Sequence, residues 1–140
     1  MIARPGRGFS SATALVALLL LPACAATPKR PAPLATRPAP KIGATATGTA
    51  SWYGPGFHGK RTACGEKFDQ DALTAAHGSW PCGTRVRVTL LSTGKSALVV
   101  INDLFPRHKG RLIDVSRGAA RAIGLIGPGT GKVKVEVVKP

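Results

Sequence analysis

The chain has 140 residues, with 20 Lys and Arg against six Asp and Glu, a formal charge of +14 at pH 7. This length allows one domain with a tail and excludes two domains of ordinary size. In a cytosolic protein such a charge would first indicate nucleic acid. Residues 1–47 contain no acid, whereas residues 48–140 contain all six acids, both Trp and the only Tyr. We therefore assign the globular domain to residues 48–140.

The N-terminus has the pattern of an export signal. Arg4 and Arg7 precede an apolar run of ten residues, Ala12–Leu21. This run is much shorter than the roughly 20 residues that cross a bilayer, so residues 1–23 are predicted to be a signal peptide. Export removes the cytosolic setting in which nucleic acid would be the expected partner.

The signal ends in LPAC, Leu21 to Cys24, which resembles the lipobox of bacterial lipoproteins. This resemblance implies a lipoprotein signal peptide and an acylated Cys24, and Ala25 after it suits the periplasmic face of the outer membrane. The alternative is an ordinary signal peptide, cleaved after the A-x-A-like Ala23–Ala25. The expected localisation is therefore a lipid-anchored protein of the cell envelope. Residues 24–47, rich in Pro, Ala and cations, are predicted to form an extended tether.

The other two cysteines, Cys64 and Cys82, form an even pair in an exported domain. An oxidising compartment favours a disulfide between them. The alternative is two buried free thiols.

Short strands punctuated by Gly and Pro make up the rest of the domain. Thr84–Leu90 and Lys132–Val137 alternate polar and apolar residues, as strands with one buried face do. Lys95–Asn102 is almost continuously apolar, which predicts a strand covered on both faces. Ser92–Lys95 has the composition of a hairpin turn, in which Gly94 is free to adopt positive φ.

One helix is well marked. Ser116 is its predicted N-cap, Arg117–Ile123 its body and Gly124 its end. Ala72–His77 is predicted to be a second short helix or a turn. Many short strands with one or two helices indicate a small β-barrel.

The stretches SWYG, FHGKRTACGEKFD, ALTAAH, PCGTRVRV, IND and GRLIDVS follow one another from Gly48 to the C-terminus. In this order they resemble the rare lipoprotein A (RlpA-like) family, which includes peptidoglycan lytic transglycosylases. The resemblance implies a mainly β fold, a six-stranded double-psi β-barrel with one or two short helices. Where the family commonly has Asn-Asp-Arg-Gly-Pro, this chain has NDLFP at Asn102–Pro106.

By position in the family motifs, the resemblance implies Asp103, Glu66, Asp69 and His77 as catalytic residues. Asp103 follows an apolar strand, and we take it as the leading acid/base; its alternative role is to cap the turn before Pro106. Glu66 and Asp69 alternatively form a solvated acidic turn. His77 closes a small apolar run, where a structural histidine is an equally good interpretation.

Three further residues are candidates for substrate binding. Trp52 and Tyr53 are able to stack on sugar rings, although packing within the domain explains them equally well; Trp80 is expected in the core. Asp114 resembles an acidic position of the expansin-type motif. It is either a second groove carboxylate or a structural acid near the helix N-terminus.

No metal, cofactor or nucleotide is predicted, because His58, His77 and His108 lack ligand spacing and no Gly-rich phosphate loop links a strand to a helix. The expected partners are peptidoglycan glycan strands and, through the lipid anchor, a membrane. The expected function is an endolytic lytic transglycosylase that leaves 1,6-anhydro-N-acetylmuramic acid ends. The alternatives are a non-catalytic, expansin-like glycan-binding or wall-loosening protein and an interaction lipoprotein without groove chemistry.

Overall fold

The computed structural model of the chain describes residues 38–105 and 110–139. The predicted signal peptide, the predicted lipidation site Cys24 and residues 24–37 of the predicted tether lie outside these ranges. Within them, no helix combines the length and apolar character needed to cross a membrane.

Six strands close into a barrel. They are β1 (Thr45–Tyr53), β2 (Thr74–His77), β3 (Arg85–Leu90), β4 (Ser96–Asp103), β5 (Arg111–Ser116) and β6 (Thr130–Val137). Around the barrel their order is β1-β5-β2-β4-β3-β6. The β1–β5 and β2–β4 pairs are parallel, and the other pairs are antiparallel. A closed, mixed barrel with one α-helix, α1 (Arg117–Ile123), confirms the predicted fold class.

Strands β3 and β6 alternate as predicted, and their apolar side chains fill the barrel interior. Along β3, Val86, Val88 and Leu90 are buried, while Arg85 and Arg87, which alternate with them, are exposed. The buried apolar cluster runs from Ala50 to Val137 along the chain and includes residues of every strand. Every strand and α-helix that the structure describes, and the core that they enclose, lies within residues 38–140, which can therefore fold as one domain.

Two predictions about local structure are wrong. Residues 72–77 do not form a helix: the last four of them are the strand β2, which pairs with β4 and β5. A short run of small apolar residues fits either structure, and tertiary pairing decides between them. Strand β4 is not covered on both faces, because Leu98 is 55% exposed. In a closed barrel only the inner face of each strand meets the core.

Helix α1 begins and ends where the sequence predicts. The Ala119 N–H donates to Ser116 Oγ at 3.2 Å. Gly124 ends the helix in the left-handed conformation, at a φ of 81°. The hairpin between β3 and β4 likewise turns at Gly94, at a φ of 70°.

Gly118 is the point at which α1 touches the loop that precedes β2. A Cβ atom at Gly118 would lie 2.2 Å from the carbonyl oxygen of Asp71, and the Gly118 N–H donates to the Gln70 carbonyl. Ala is the better helix former by about 1 kcal/mol, but a clash with backbone outweighs that gain. We expect Gly118→Ala to destabilise the domain by about 2 kcal/mol.

The measurement for Gly118→Ala is thermal unfolding, in which a loss of this size lowers Tm by roughly 10 °C. Gly56→Ala is the matched control, because nothing lies within 4 Å of a Cβ there. A Gly118→Ala Tm equal to or above that of the wild type would show that the helix and loop separate without cost.

The predicted Cys64–Cys82 disulfide is present, with the two Cα atoms 5.8 Å apart. It ties the β1–β2 loop (residues 54–73) to the segment that precedes β3. Closing this loop of 18 residues stabilises the domain by about 3 kcal/mol on the chain-entropy model.

Candidate active site

Two carboxylates lie in one row across four neighbouring strands. Ser51 on β1 is in register with Asp114 on β5, Asp114 with Ala76 on β2, and Ala76 with Asp103 on β4. We call these four residues the carboxylate row. The residues that precede Ser51, Ala76 and Asp114 are fully buried in the core. Since successive side chains of a strand alternate between its faces, the carboxylate row lies on the outer face of the barrel.

The register also sets the spacing of the two acids. Asp103 and Asp114 are separated by the single strand β2, so their Cα atoms are about 10 Å apart. A bulge in β4 brings Asp103 into register with Ala76. One residue earlier on β2, Ala75 is in register with Ile101, so β4 has one extra residue at this point. The extra residue, Asn102, is thereby accommodated, and Asp103 joins the row.

Asp114 is held by two side chains that the sequence analysis did not single out. Its Oδ1 accepts a hydrogen bond from Ser51 Oγ and lies 3.3 Å from a guanidinium nitrogen of Arg111. The same Arg111 nitrogen donates to Ser51 Oγ at 2.9 Å. Only 12% of the Asp114 side chain is exposed. These contacts fix the orientation of the buried Asp114 carboxylate. An acid that only stabilised the N-terminus of α1 through the helix dipole would not require them.

Asp103 connects the barrel to the β1–β2 loop. Its Oδ1 accepts hydrogen bonds from the backbone N–H groups of Ala63 at 2.8 Å and Leu104 at 2.9 Å. The Leu104 bond is the turn-capping contact that the sequence offered as an alternative role. The Ala63 bond spans 40 residues and places the loop against the end of β4. Both bonds use Oδ1, so Oδ2 is the oxygen from which a proton could be transferred to a ligand.

Glu66 lies on the same loop, in an exposed position. The Thr62 N–H donates to the Glu66 carbonyl at 2.8 Å, and Arg61 pairs with Lys67 in an isolated bridge. This turn contains Ala63 and is therefore attached to Asp103. The structure thus places Glu66 on the element that Asp103 anchors, with its carboxylate facing solvent.

Asp69 makes local contacts within the loop. Its Oδ1 accepts the Asp71 N–H at 3.0 Å and lies 3.8 Å from His58 Nδ1, which is too long for a hydrogen bond. His58 Nδ1 instead accepts the Gln70 N–H at 3.2 Å. The Asp69 side chain is 61% exposed. These contacts fit the solvated-turn interpretation of Asp69 and do not join it to the carboxylate row.

Tyr53 is packed inside the site by other aromatic side chains. Its ring stacks on Phe68, with centroids 4.4 Å apart, and meets Phe57 edge-on at 5.8 Å. The Tyr53 hydroxyl is buried and has no hydrogen-bond partner among the described residues. Burial, together with the negative charges of Asp103 and Asp114, raises the pKa of Tyr53 far above that of a free phenol. Phe68 occupies one ring face, so Tyr53 cannot stack on a sugar there.

His77 lies in an environment different from that of the carboxylate row. It is buried and stacks on Trp80, with ring centroids 3.9 Å apart. Its Nδ1 accepts the backbone N–H groups of Ser79 at 3.1 Å and Trp80 at 3.0 Å. Alternation along β2 places His77 on the opposite face from Ala76. The structure does not bring His77 into the carboxylate row, and its contacts favour a structural role.

The remaining aromatic candidates pack inward. Trp52 and Trp80 are partly buried against the core cluster, as expected for Trp80. For Trp52 this contact favours packing over sugar stacking. Among residues 38–105 and 110–139, no three His, Cys, Asp or Glu side chains are grouped so as to hold a metal ion.

Solved structures of other proteins share the barrel. A Streptomyces papain inhibitor superposes with a TM-score of 0.58 at 23% identity and covers 70% of this chain and 97% of that one. A mutant Clavibacter michiganensis expansin in complex with cellohexaose gives a TM-score of 0.56 at 23% identity, over 69% of this chain and 51% of that one. At this level of identity the likeness concerns the fold alone.

Sequence relatives are much more similar. The probable endolytic peptidoglycan transglycosylase RlpA of Synechocystis sp. is 60% identical over 92 residues, 66% of this chain and 29% of that protein. The endolytic peptidoglycan transglycosylase RlpA of Campylobacter jejuni is 50% identical over 97 residues, 69% of this chain and 35% of that protein. The chain thus spans about a third of the length of these curated relatives.

A family model described as lytic transglycolase matches residues 45–137, which include all six strands of the barrel. The ordered motifs, the double-psi barrel and the relatives at half identity or more agree with this match. The chain therefore belongs to the RlpA-like lytic transglycolase family.

Proposed function

We propose that this chain is an endolytic peptidoglycan lytic transglycosylase. It would cleave the β-1,4 bond between N-acetylmuramic acid and N-acetylglucosamine and leave 1,6-anhydro-N-acetylmuramic acid ends. The observation that carries this proposal is the carboxylate row, which has two acids on one outer face at a separation suited to a sugar ring. Family membership and the names of the relatives support the same reaction.

The reaction needs an acid for the leaving oxygen and a negative group near the cationic, oxocarbenium-like carbon. We assign the first role to Asp103, which is partly exposed at the end of β4. It protonates the glycosidic oxygen as the bond from that oxygen to the muramic acid C1 breaks. The sugar's own 6-hydroxyl then attacks C1, and Asp103 takes up the hydroxyl proton. Because the nucleophile is intramolecular, one carboxyl serves as acid and then as base.

Asp114 takes the second role in this proposal. Ser51 and Arg111 hold its carboxylate on the outer face, where its charge stabilises the positive charge that develops at C1. A group fixed before the reaction stabilises the transition state without reorganising. Glu66, exposed on the loop that Asp103 anchors, is assigned to contacts with the glycan strand.

The test uses purified residues 38–140 with peptide-free glycan strands, whose length is followed by chromatography. A steady fall in mean strand length is expected for endolytic cleavage. Strands of unchanged length that co-sediment with the protein would reject the enzyme and favour the expansin-like alternative. Unchanged strands without co-sedimentation would reject both.

The export of this protein is a second proposal. We propose that it is anchored in the cell envelope by a lipid on Cys24, supported by the basic N-terminus, the apolar run and the LPAC sequence. In a Gram-negative host given labelled palmitate, the wild-type chain is expected to carry label and Cys24→Ala none. The control, Cys64→Ala with Cys82→Ala, keeps the label. Labelled Cys24→Ala protein would contradict the anchor.

A further inference from the structure

One side of the barrel is strongly cationic. Arg85 and Arg87 on β3 and Lys132 and Lys134 on β6 are exposed, and their chain neighbours Val86, Val133 and Val135 are buried. The four cations therefore point outward from two adjacent strands. Among them, Arg87 is paired with the carboxylate of Glu136 at 3.3 Å. Four cations against one carboxylate leave this side positive.

Two large aliphatic side chains lie among these cations. Leu98 on β4 is in register with Arg87 and is 55% exposed. Leu91 follows β3 directly and is 51% exposed, and its N–H donates to the Lys132 carbonyl at 2.9 Å. We call the six residues the cationic face; they are Arg85, Arg87, Leu91, Leu98, Lys132 and Lys134.

The cationic face lies across the barrel from the middle of the carboxylate row, Asp114 and Ala76. In the ring order β1-β5-β2-β4-β3-β6, each strand is opposite the one three places away. Strand β3 is thus opposite β5, which contains Asp114, and β6 is opposite β2, which contains Ala76. A surface bound by the cationic face therefore leaves Asp114 on the far side of the barrel, whereas Asp103 is on β4, the strand that also contributes Leu98 to this face.

We infer that the cationic face docks this domain on an anionic phospholipid bilayer, with Asp114 turned away from the membrane. Cations near an anionic head-group layer are attracted to it, and half-exposed leucines gain by entering the boundary between head groups and acyl chains. A charged wall polymer would satisfy the cations but offers no apolar phase for Leu91 and Leu98. The outward positions of β3, β6 and the Ser96–Val100 segment of β4 also include no aromatic residue for stacking on sugars.

The experiment uses purified residues 38–140, so that neither the export signal nor a lipid on Cys24 contributes. Vesicles of phosphatidylcholine with one quarter phosphatidylglycerol are sedimented with the protein, and vesicles of phosphatidylcholine alone are compared. Wild-type protein is expected to bind only the anionic vesicles. Since each cation near such a surface contributes a factor of about five, Arg85→Gln with Lys132→Gln and Lys134→Gln should weaken partitioning about 100-fold.

The matched control removes three cations elsewhere, by Lys60→Gln, Lys67→Gln and Arg121→Gln. It has the same net charge as the first triple variant, and it should lose much less affinity. Leu91→Ser with Leu98→Ser should lower the binding that persists in high salt. Cleavage of glycan strands by the cationic-face triple variant should match the wild type, which separates membrane docking from catalysis.

Equal losses in the two triple variants would overturn the inference, because net charge rather than this face would then control binding. Wild-type vesicle binding by the cationic-face variant would overturn it as well. A variant that loses binding to isolated peptidoglycan sacculi but keeps its affinity for vesicles would assign the face to the wall polymer instead.

Discussion

Asp103→Asn is expected to lower kcat on peptide-free glycan strands by about a thousand-fold, within the range for loss of a general acid. The amide cannot donate the proton that the leaving oxygen requires or accept one from the 6-hydroxyl. Its oxygen can still accept the N–H groups of Ala63 and Leu104, which Asp103 Oδ1 binds at 2.8 and 2.9 Å. Strand binding and Tm should therefore stay close to the wild-type values.

Asp103→Ala separates the chemical role of Asp103 from its structural one. It removes the acceptor as well as the proton, so it should lose activity to the same extent and also destabilise the domain by about 1–3 kcal/mol. The measurements are kcat, strand co-sedimentation and Tm for the three proteins. If Asp103→Asn kept more than a tenth of the wild-type rate, Asp103 would be a capping residue and not the acid.

Asp114→Asn is expected to lower kcat by about a hundred-fold or more, as the loss of one fixed electrostatic group does. The change keeps the shape of the side chain but removes the charge that faces C1 in the transition state. It also leaves Arg111 without the carboxylate 3.3 Å away, so some loss of stability accompanies it. Rates should therefore be measured well below the Tm of both proteins.

Ser51→Ala is the matched control for Asp114. It deletes the hydroxyl that donates to Asp114 Oδ1 but leaves the carboxylate in place. Ser51→Ala also removes the acceptor of the Arg111 bond, but only the bond to Asp114 acts on the carboxylate directly, and its loss predicts about a five-fold effect on kcat. Should Asp114→Asn abolish cleavage while Asp103→Asn stays active, proton transfer would belong to Asp114, and the two assignments would be reversed.

Features with a local cause could be predicted from the sequence. The cap at Ser116 and the end at Gly124 depend on residues within a few positions of each other, and both were placed correctly. Strands β3 and β6 were visible because their side chains alternate. The Cys64–Cys82 bond followed from an even pair of cysteines in a domain that the sequence predicts to be exported. The order of the family motifs supplied the barrel topology, which local patterns leave open.

Features set by pairing between distant strands could not be predicted. Ser51 and Asp114 are 63 positions apart, and only the parallel pairing of β1 with β5 brings their side chains together. The bulge at Asn102 aligns Asp103 with Ala76, and no pattern in the sequence marks it. Arg111 precedes Asp114 by three residues, a spacing that suggests no contact along a strand.

The aromatic residues show the same limit. Tyr53 was a candidate for sugar stacking because exposed aromatic rings suit that role, and the sequence could not reveal that Phe68 lies on its ring. His77 ended an apolar run, and its stack on Trp80 depends on the turn after β2. In both cases the missing information was which neighbour covers the side chain.

The first measurement to make is the mass of the new strand ends after digestion by residues 38–140 in heavy-oxygen water. An intramolecular attack by the 6-hydroxyl predicts 1,6-anhydro-N-acetylmuramic acid ends, lighter than hydrolysed ends by one water molecule and free of label. Ends that gain a water molecule containing the heavy isotope would show that water is the nucleophile, and they would contradict a lytic transglycosylase.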